Sequence, residues 1–217
     1  VTSATTGSAT LTAAGNTTVT ALSASGDVVV TVTGTGNDLS LGSLSAIGHS
    51  VTLNVADAIT DGHSEDTAPS DGVDITAGSV SITAASLGTS SDAIETNIDT
   101  LSLSIGSGGA YVVESNALTL SSATVTGALN LSTGGALTVT SATTGSATLT
   151  AAGNTSVTAL SASGDVALTV TGATTLTSVQ TSGALSAQIT GNTSVTSMGS
   201  TGNMTLGVTG SATLGSL

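Results

Sequence analysis

Residues 153–217 read GNTSVTALSASGDVALTVTGATTLTSVQTSGALSAQITGNTSVTSMGSTGNMTLGVTGSATLGSL, and their apolar positions return at a 19-residue step. Val157, Leu176, Val195 and Leu214 make one column, and Leu160, Val179, Met198 and Leu217 make a second. Val166, Leu185 and Met204, then Leu168, Ala187 and Leu206, then Val170, Ile189 and Val208 make three more. Gly153, Gly172, Gly191 and Gly210 keep the same step, as do Gly164, Gly183 and Gly202. Inside one period, Val166, Leu168 and Val170 alternate with residues that face the other way, which is the side-chain period of a strand. β-Branched Val and Thr favour extended backbone, and the glycines interrupt it. No helical apolar stripe of useful length occurs.

A period of this length, holding two or three short strands, predicts an all-β chain with one turn of a parallel β-helix (β-solenoid) per period. Residues in a column stack on one another, and the core becomes a narrow aliphatic column. With about 4.8 Å between stacked strands, roughly eleven coils make a rod on the order of 50 Å long. The earlier half keeps the coil with additions, since the steps from Leu22 to Leu44 and from Gly26 to Gly48 are each three positions longer. Leu118 and Leu120 keep the regular step to Leu137 and Val139, and Leu129 and Leu131 reach Ala147 and Leu149 one position sooner. A longer repeat overlies this one: residues 1–28 return as 139–166 with one change, Thr18 to Ser156. The 217 residues therefore read as one continuous solenoid of a 138-residue super-repeat and the start of the next, a window on a longer array. Neither end carries a recognisable cap, so further repeats or end-to-end contact are expected there.

Composition agrees with this and excludes much else. There is no Lys, Arg, Cys, Phe or Trp, only one Tyr and one Pro, and the formal charge is −13. Without cations the chain is not expected to bind nucleic acid or anionic lipid, or to clamp a phosphoryl group. Without Cys it has no disulfide, thiol nucleophile or thiolate metal site. Its mean hydropathy of +0.45 argues against a disordered linker. No apolar run is long enough for a membrane helix, so no membrane insertion is expected.

The exception to the rhythm is residues 56–77, ADAITDGHSEDTAPSDGVDITA, with six of the thirteen carboxylates, the only Pro and His63. This stretch is expected to be an acidic loop inserted into the rod. Asp57, Asp61, His63, Glu65, Asp66, Asp71 and Asp74 offer hard donors of the kind Ca²⁺ takes. Asp61, His63, Glu65, Asp66 and Asp71 are the candidate calcium ligands, although the spacing is not that of an EF-hand or of a calcium β-roll. The competing reading is a solvated loop that adds solubility.

Outside the loop, Asp92, Glu95, Asp99 and Glu114 read as outward polar positions. Asp27 and Asp165, equivalent in the repeated block, read as turn residues. His49 and His63 have no nucleophile at a recognisable spacing, so no catalytic residue is assigned. Asn16, Asn130, Asn154, Asn192 and Asn203 open N-x-Ser/Thr sequons, with Asn16, Asn154 and Asn192 the glycosylation candidates. Thr pairs such as Thr10/Thr12, Thr148/Thr150 and Thr169/Thr171 raise an ice-binding array, but they fall at different points of the coil, and solvent-facing β-propensity explains them better. A carbohydrate-active β-helix enzyme is also disfavoured, because only Tyr111 offers an aromatic platform, and Tyr111 is expected to end a strand or cap the core.

The unit GSVSITA (78–84) and the stretch IETNIDTLSLSIGSGGAYVVESNALTL (94–120) resemble coils of filamentous-haemagglutinin-type adhesins, very large bacterial surface proteins of the two-partner-secreted or autotransporter-like kind. The likeness runs over the whole chain as repeat grammar. It implies a right-handed β-helix, secretion across the bacterial envelope, and extracellular display at the cell surface as a fibre or adhesin stalk. The expected function is therefore non-catalytic and structural. The alternative is an adhesive module that binds a surface, glycan or neighbouring filament through the 56–77 loop. Total absence of Lys and Arg departs from those families.

Overall fold

The computed structural model describes residues 4–63 and 72–217, and over them the chain is an all-β solenoid of twenty-two strands with no helix. Among the described residues every strand pairing is parallel, and the one antiparallel contact is an isolated bridge between Thr89 and Asp92. A single ladder follows the stack from end to end: Ala9, Val28, Val51, Val80, Leu101, Leu120, Val139, Val157, Leu176, Val195 and Leu214 pair in that order. It has one residue per coil and eleven coils, the number and spacing expected from the sequence. Its longest steps run from Val28 to Val51 and from Val51 to Val80, and beyond Leu101 each step keeps the regular spacing or falls one short of it. Leu22 pairs with Leu44 across the longer coil expected there.

Side chains on these ladders fill a narrow core of Val, Leu, Ile and Ala, with Leu39, Leu53, Ile59, Ile82, Ile94 and Leu101 among the largest fully buried. Thr is not confined to the outside. Thr155, Thr174 and Thr193 stack on one another as buried residues at the start of short strands. The Thr174 and Thr193 hydroxyls donate to the carbonyls of Gly172 and Gly191, two residues back, and so remain satisfied away from water.

Two kinds of side build each coil. Where inward residues alternate without a break, as in Val28–Val32, the side is one straight strand. Where two residues intervene between inward positions, as Thr20 and Ala21 do between Val19 and Leu22, the side bends. In the first coils the bent side carries Val19/Leu22 and Leu41/Leu44, and the straight side carries Ala9–Ala13 and Val28–Val32. The two exchange roles along the rod. The bent side runs on through Ile59 and Leu87 to the straight strand Ala110–Glu114, and from there to Val166–Val170. The straight side gains a residue at Ser121 and then divides into Leu137–Val139 and the strand starting at Ala142.

As a result the duplicated block occupies opposite sides at its two occurrences. Leu11 pairs into the ladder of Val30 and Leu53, whereas its counterpart Leu149 pairs with Leu131 and Leu168. Each copy keeps its local shape, because the local alternation is the same. The phase differs because six steps of the ladder carry Ala9 to Val139. The copy of Ala9 in the repeated block is Ala147, which lies past Val139 and pairs on the other side, with Leu129 and Val166.

Glycine columns let the coils approach at the corners. A Cβ on Gly191 would fall on the carbonyl of Gly172, and one on Gly210 would lie 2.6 Å from the Gly191 carbonyl carbon. Backbone cannot yield as a side-chain tip can. Gly191→Ala is therefore expected to lower stability by roughly 1–3 kcal/mol through forced separation of two coils, whereas Gly15→Ala, with nothing within 4 Å of the added carbon, should stay close to wild type. Thermal melts of the two variants compare them directly.

Candidate functional site

The corner of the bent side, where straightening occurs, collects the buried carboxyl groups of Asp61, Asp74, Glu95 and Glu114. Two residues turn this corner in the Leu39–Val55 strand, at Gly42 and Ser43. In the next coil the strand Ala58–Asp61 ends there and the strand Ile75–Ala84 takes up the stack again, and one coil later residues 88–93 leave it. The following coil passes straight through in Ala110–Glu114. The expected 56–77 insertion is thus narrower than its acidic composition suggests: Ala58–Asp61 is a strand of the stack, and the strand Ile75–Ala84 resumes it.

Asp61 pairs with Leu41 and so takes an inward position that the coil below fills with leucine. Its side chain is fully buried, as is that of Asp74, directly before the strand Ile75–Ala84. His63, about one third exposed, stands between them with Nδ1 3.2 Å from Asp61 Oδ1 and 3.2 Å from Asp74 Oδ1. Asp61 Oδ1 accepts from the His63 backbone N–H at 2.8 Å, and Asp74 Oδ2 accepts from the Glu95 N–H at 2.9 Å. Burial pushes Asp74 up to about 10, and the nearby Asp61 and Glu95 carboxylates add to the rise against the Glu95 N–H. Of the five residues predicted to hold calcium, the structure brings Asp61 and His63 together; Glu65, Asp66 and Asp71 lie outside the described residues. Asp74 completes the cluster, and Asp57 is not part of it.

Two expectations for the scattered acids are corrected. Glu95 is buried, and Glu114 is 1% exposed on an inward position of its strand. Glu114 belongs to the ladder Leu44, Ile75, Thr96, Glu114, Thr133, Ala151, in which three polar residues replace aliphatic ones. Its Oε2 accepts from the Thr96 hydroxyl at 2.7 Å and the Ile98 N–H at 3.1 Å, and its Oε1 accepts from the Asn116 N–H at 3.0 Å. Burial nevertheless raises its pKa above the ordinary value against these bonds. Glu114→Ala would strand two backbone donors and a hydroxyl. With roughly 1–3 kcal/mol for each buried donor left unmade, a loss on the order of 3 kcal/mol is expected. Glu114→Gln should fall between, because its amide nitrogen must face a donor. Chemical denaturation of the two variants checks the order.

Asp99 is exposed, as expected. Asp27 and Asp165 do more than turn the chain, since each Oδ1 accepts a backbone N–H of the following coil, from Ser50 at 2.9 Å and Ala184 at 2.7 Å. That bond lowers the pKa of Asp27. Asn16, Asn154 and Asn192, the glycosylation candidates, make the same bridge to Asp38, Ala173 and Ser211. Their Gly-Asn-Thr setting thus has a structural cause, a corner side chain that ties one coil to the next, while the residues themselves remain at least partly exposed. The Thr pairs lie on different sides: Thr12 and Thr31 share one ladder, Thr150 and Thr169 another.

Tyr111 neither ends a strand nor caps the core. It is the outward second residue of Ala110–Glu114, beside Gly109. There it lines a groove of about 650 Å³ between the 88–93 excursion and the coil surface, together with Asp92, Glu95, Asn130 and Ser132.

The fold and corner define a β-solenoid with an acidic buried seam. Compared with known proteins, the chain matches no family model, no curated protein and no solved structure.

Proposed function

We propose that this chain is a non-catalytic structural segment of a secreted, extracellular bacterial fibre or adhesin stalk. The observation that supports the reading is the unbroken ladder from Ala9 to Leu214, a stack in which every coil is held by the one before and the one after. Backbone hydrogen bonds between coils run along the rod, and the aliphatic ladders keep water from them. Lacking Lys and Arg, the rod offers trypsin no site and cannot form Lys–Asn isopeptide cross-links. Cohesion then rests on ladders, corner Asx bridges and contacts with further repeats of the same kind, end to end or side by side. Proteinase K treatment of intact source cells tests display: an antibody to this segment should lose its signal, and a signal that survives until lysis rejects the reading.

An adhesive role is the second reading, and one observation favours it: the only aromatic side chain stands in the groove beneath the 88–93 excursion, next to Asp92 and Asn130. A glycan or neighbouring filament is the matching partner class. Exchanging residues 64–71 for a Gly/Ser linker, and separately Tyr111→Ala, should leave fibres intact and reduce attachment under this reading; unchanged attachment in both leaves the stalk role alone.

A further inference from the structure

Asp61 ends one strand of the stack and Asp74 directly precedes the strand that resumes it, and their carboxylates meet inside the rod rather than in solvent. Two features distinguish them from an ordinary acidic surface. Asp61 Oδ2 is buried and makes no hydrogen bond, and Asp74 Oδ1 is buried with no directed hydrogen bond of its own. One donor atom each from Asp61, His63 and Asp74 lies within 4.8 Å of the others. An ion bound at about 2.1 Å to nitrogen and oxygen donors holds neighbouring ligands roughly 3.0–3.4 Å apart at tetrahedral or octahedral angles. The two 3.2 Å separations from His63 Nδ1 fall in that range.

We propose that Asp61, His63 and Asp74 form a binding site for one divalent first-row metal ion, with zinc the ion its donors suit best, and that the ion ties the end of the strand Ala58–Asp61 to the start of the strand Ile75–Ala84. Metal binding displaces the Asp74 proton, and the two carboxylates beside the imidazole ring then supply a charge of −2, which one divalent ion cancels. Calcium takes six to eight oxygen ligands and seldom an imidazole, whereas imidazole with carboxylate suits zinc and its neighbours. Three protein ligands leave room for water at a fourth position. The surroundings already orient the ligands: the His63 N–H fixes Asp61 Oδ1, and the Glu95 N–H fixes Asp74 Oδ2, the kind of outer bond that tunes a metal site. Bound metal would act as a staple where the coil is most interrupted, and this holds whether or not the rod is a stalk.

The test uses the full chain, stripped with EDTA and desalted. Titration calorimetry with Zn²⁺ is expected to give one equivalent bound per chain, and Co²⁺ should develop visible ligand-field absorption at the same stoichiometry. At a hundredfold excess over Kd, zinc should raise the melting temperature by at least about 5 °C, and Ca²⁺ at the same concentration should not. His63→Gln, at a partly exposed position, should keep the β circular dichroism spectrum and lose at least tenfold in zinc affinity; Asp74→Asn, which retains an acceptor for the Glu95 N–H, should do the same. Absence of stoichiometric zinc binding in the wild type overturns the proposal. So does zinc binding unchanged in a folded His63→Gln chain, or calcium stabilising as much as zinc.

Discussion

Replacing Leu101 with aspartate is expected to abolish cooperative folding of the middle coils, the largest effect of any single change in the rod. Leu101 is fully buried and stacks between Val80 and Leu120 on the ladder that crosses every coil. Truncation alone, Leu101→Ala, should cost about 2–5 kcal/mol through lost burial and a residual cavity. Aspartate adds an unpaired charge in a core that has no Lys or Arg to answer it. In a nearest-neighbour array the damage passes to both flanking coils, because each coil's strands are hydrogen-bonded only to its neighbours. Thr100, one residue earlier and half-buried on the outward side, provides the control: Thr100→Ala should stay within about 0.5 kcal/mol of wild type. Hydrogen exchange followed by mass spectrometry reads both changes. Protection of residues 80–84 and 118–125 should collapse in Leu101→Asp and persist in Thr100→Ala; protection retained in both would mean that the ladder does not carry the stability.

Acidification should stabilise the metal-free protein, the reverse of ordinary acid denaturation. Burial holds Asp74 up at about 10 and also raises Glu114. An unfolded aspartate titrates near roughly 3.9, so between that value and about 10 the folded chain carries a proton at Asp74 that the unfolded chain has released. Stability is then fully present below the unfolded pKa and is lost as pH rises through the folded one. Each pH unit within the window is worth up to about 1.4 kcal/mol, and mutual repulsion among thirteen carboxylates acts in the same direction. Asp27, whose pKa is lowered, opposes the trend only below the ordinary carboxylate range. In EDTA the melting temperature should fall by on the order of 10 °C between pH 5 and pH 9, and the slope should flatten in Asp74→Asn. A melting temperature that rises over the same interval would contradict the assignment of a buried, protonated Asp74.

The regular coils were legible because their signal is additive. Val157, Leu176, Val195 and Leu214 repeat at one step in the sequence and pair in that register in the rod. Even the irregular step from Leu22 to Leu44 carried over, since a corner can absorb extra residues without disturbing inward positions. The seam was harder to read. Asp61 occupies a leucine position, and nothing in an acidic stretch marks which carboxylate points inward. For Glu114 the signal did exist: in Ala110-Tyr-Val-Val-Glu114 it has the parity of Ala110 and Val112, both buried. Glu95 had no such signal, because it lies between Ile94 and Thr96, both also buried, where alternation gives no parity to read. Exchange of the bent and straight sides was invisible to repeat comparison, which equates Leu11 with Leu149, whereas following the paired ladder separates them.

Under the proposed stalk role, these coils are the continuous shaft of an extracellular fibre. Immunogold electron microscopy of the native surface material, with an antibody raised to this segment, tests it most directly. Gold should decorate thin, uniform filaments along their length. Label confined to amorphous or soluble material, with no filament beneath it, would rule out a shaft role for these coils.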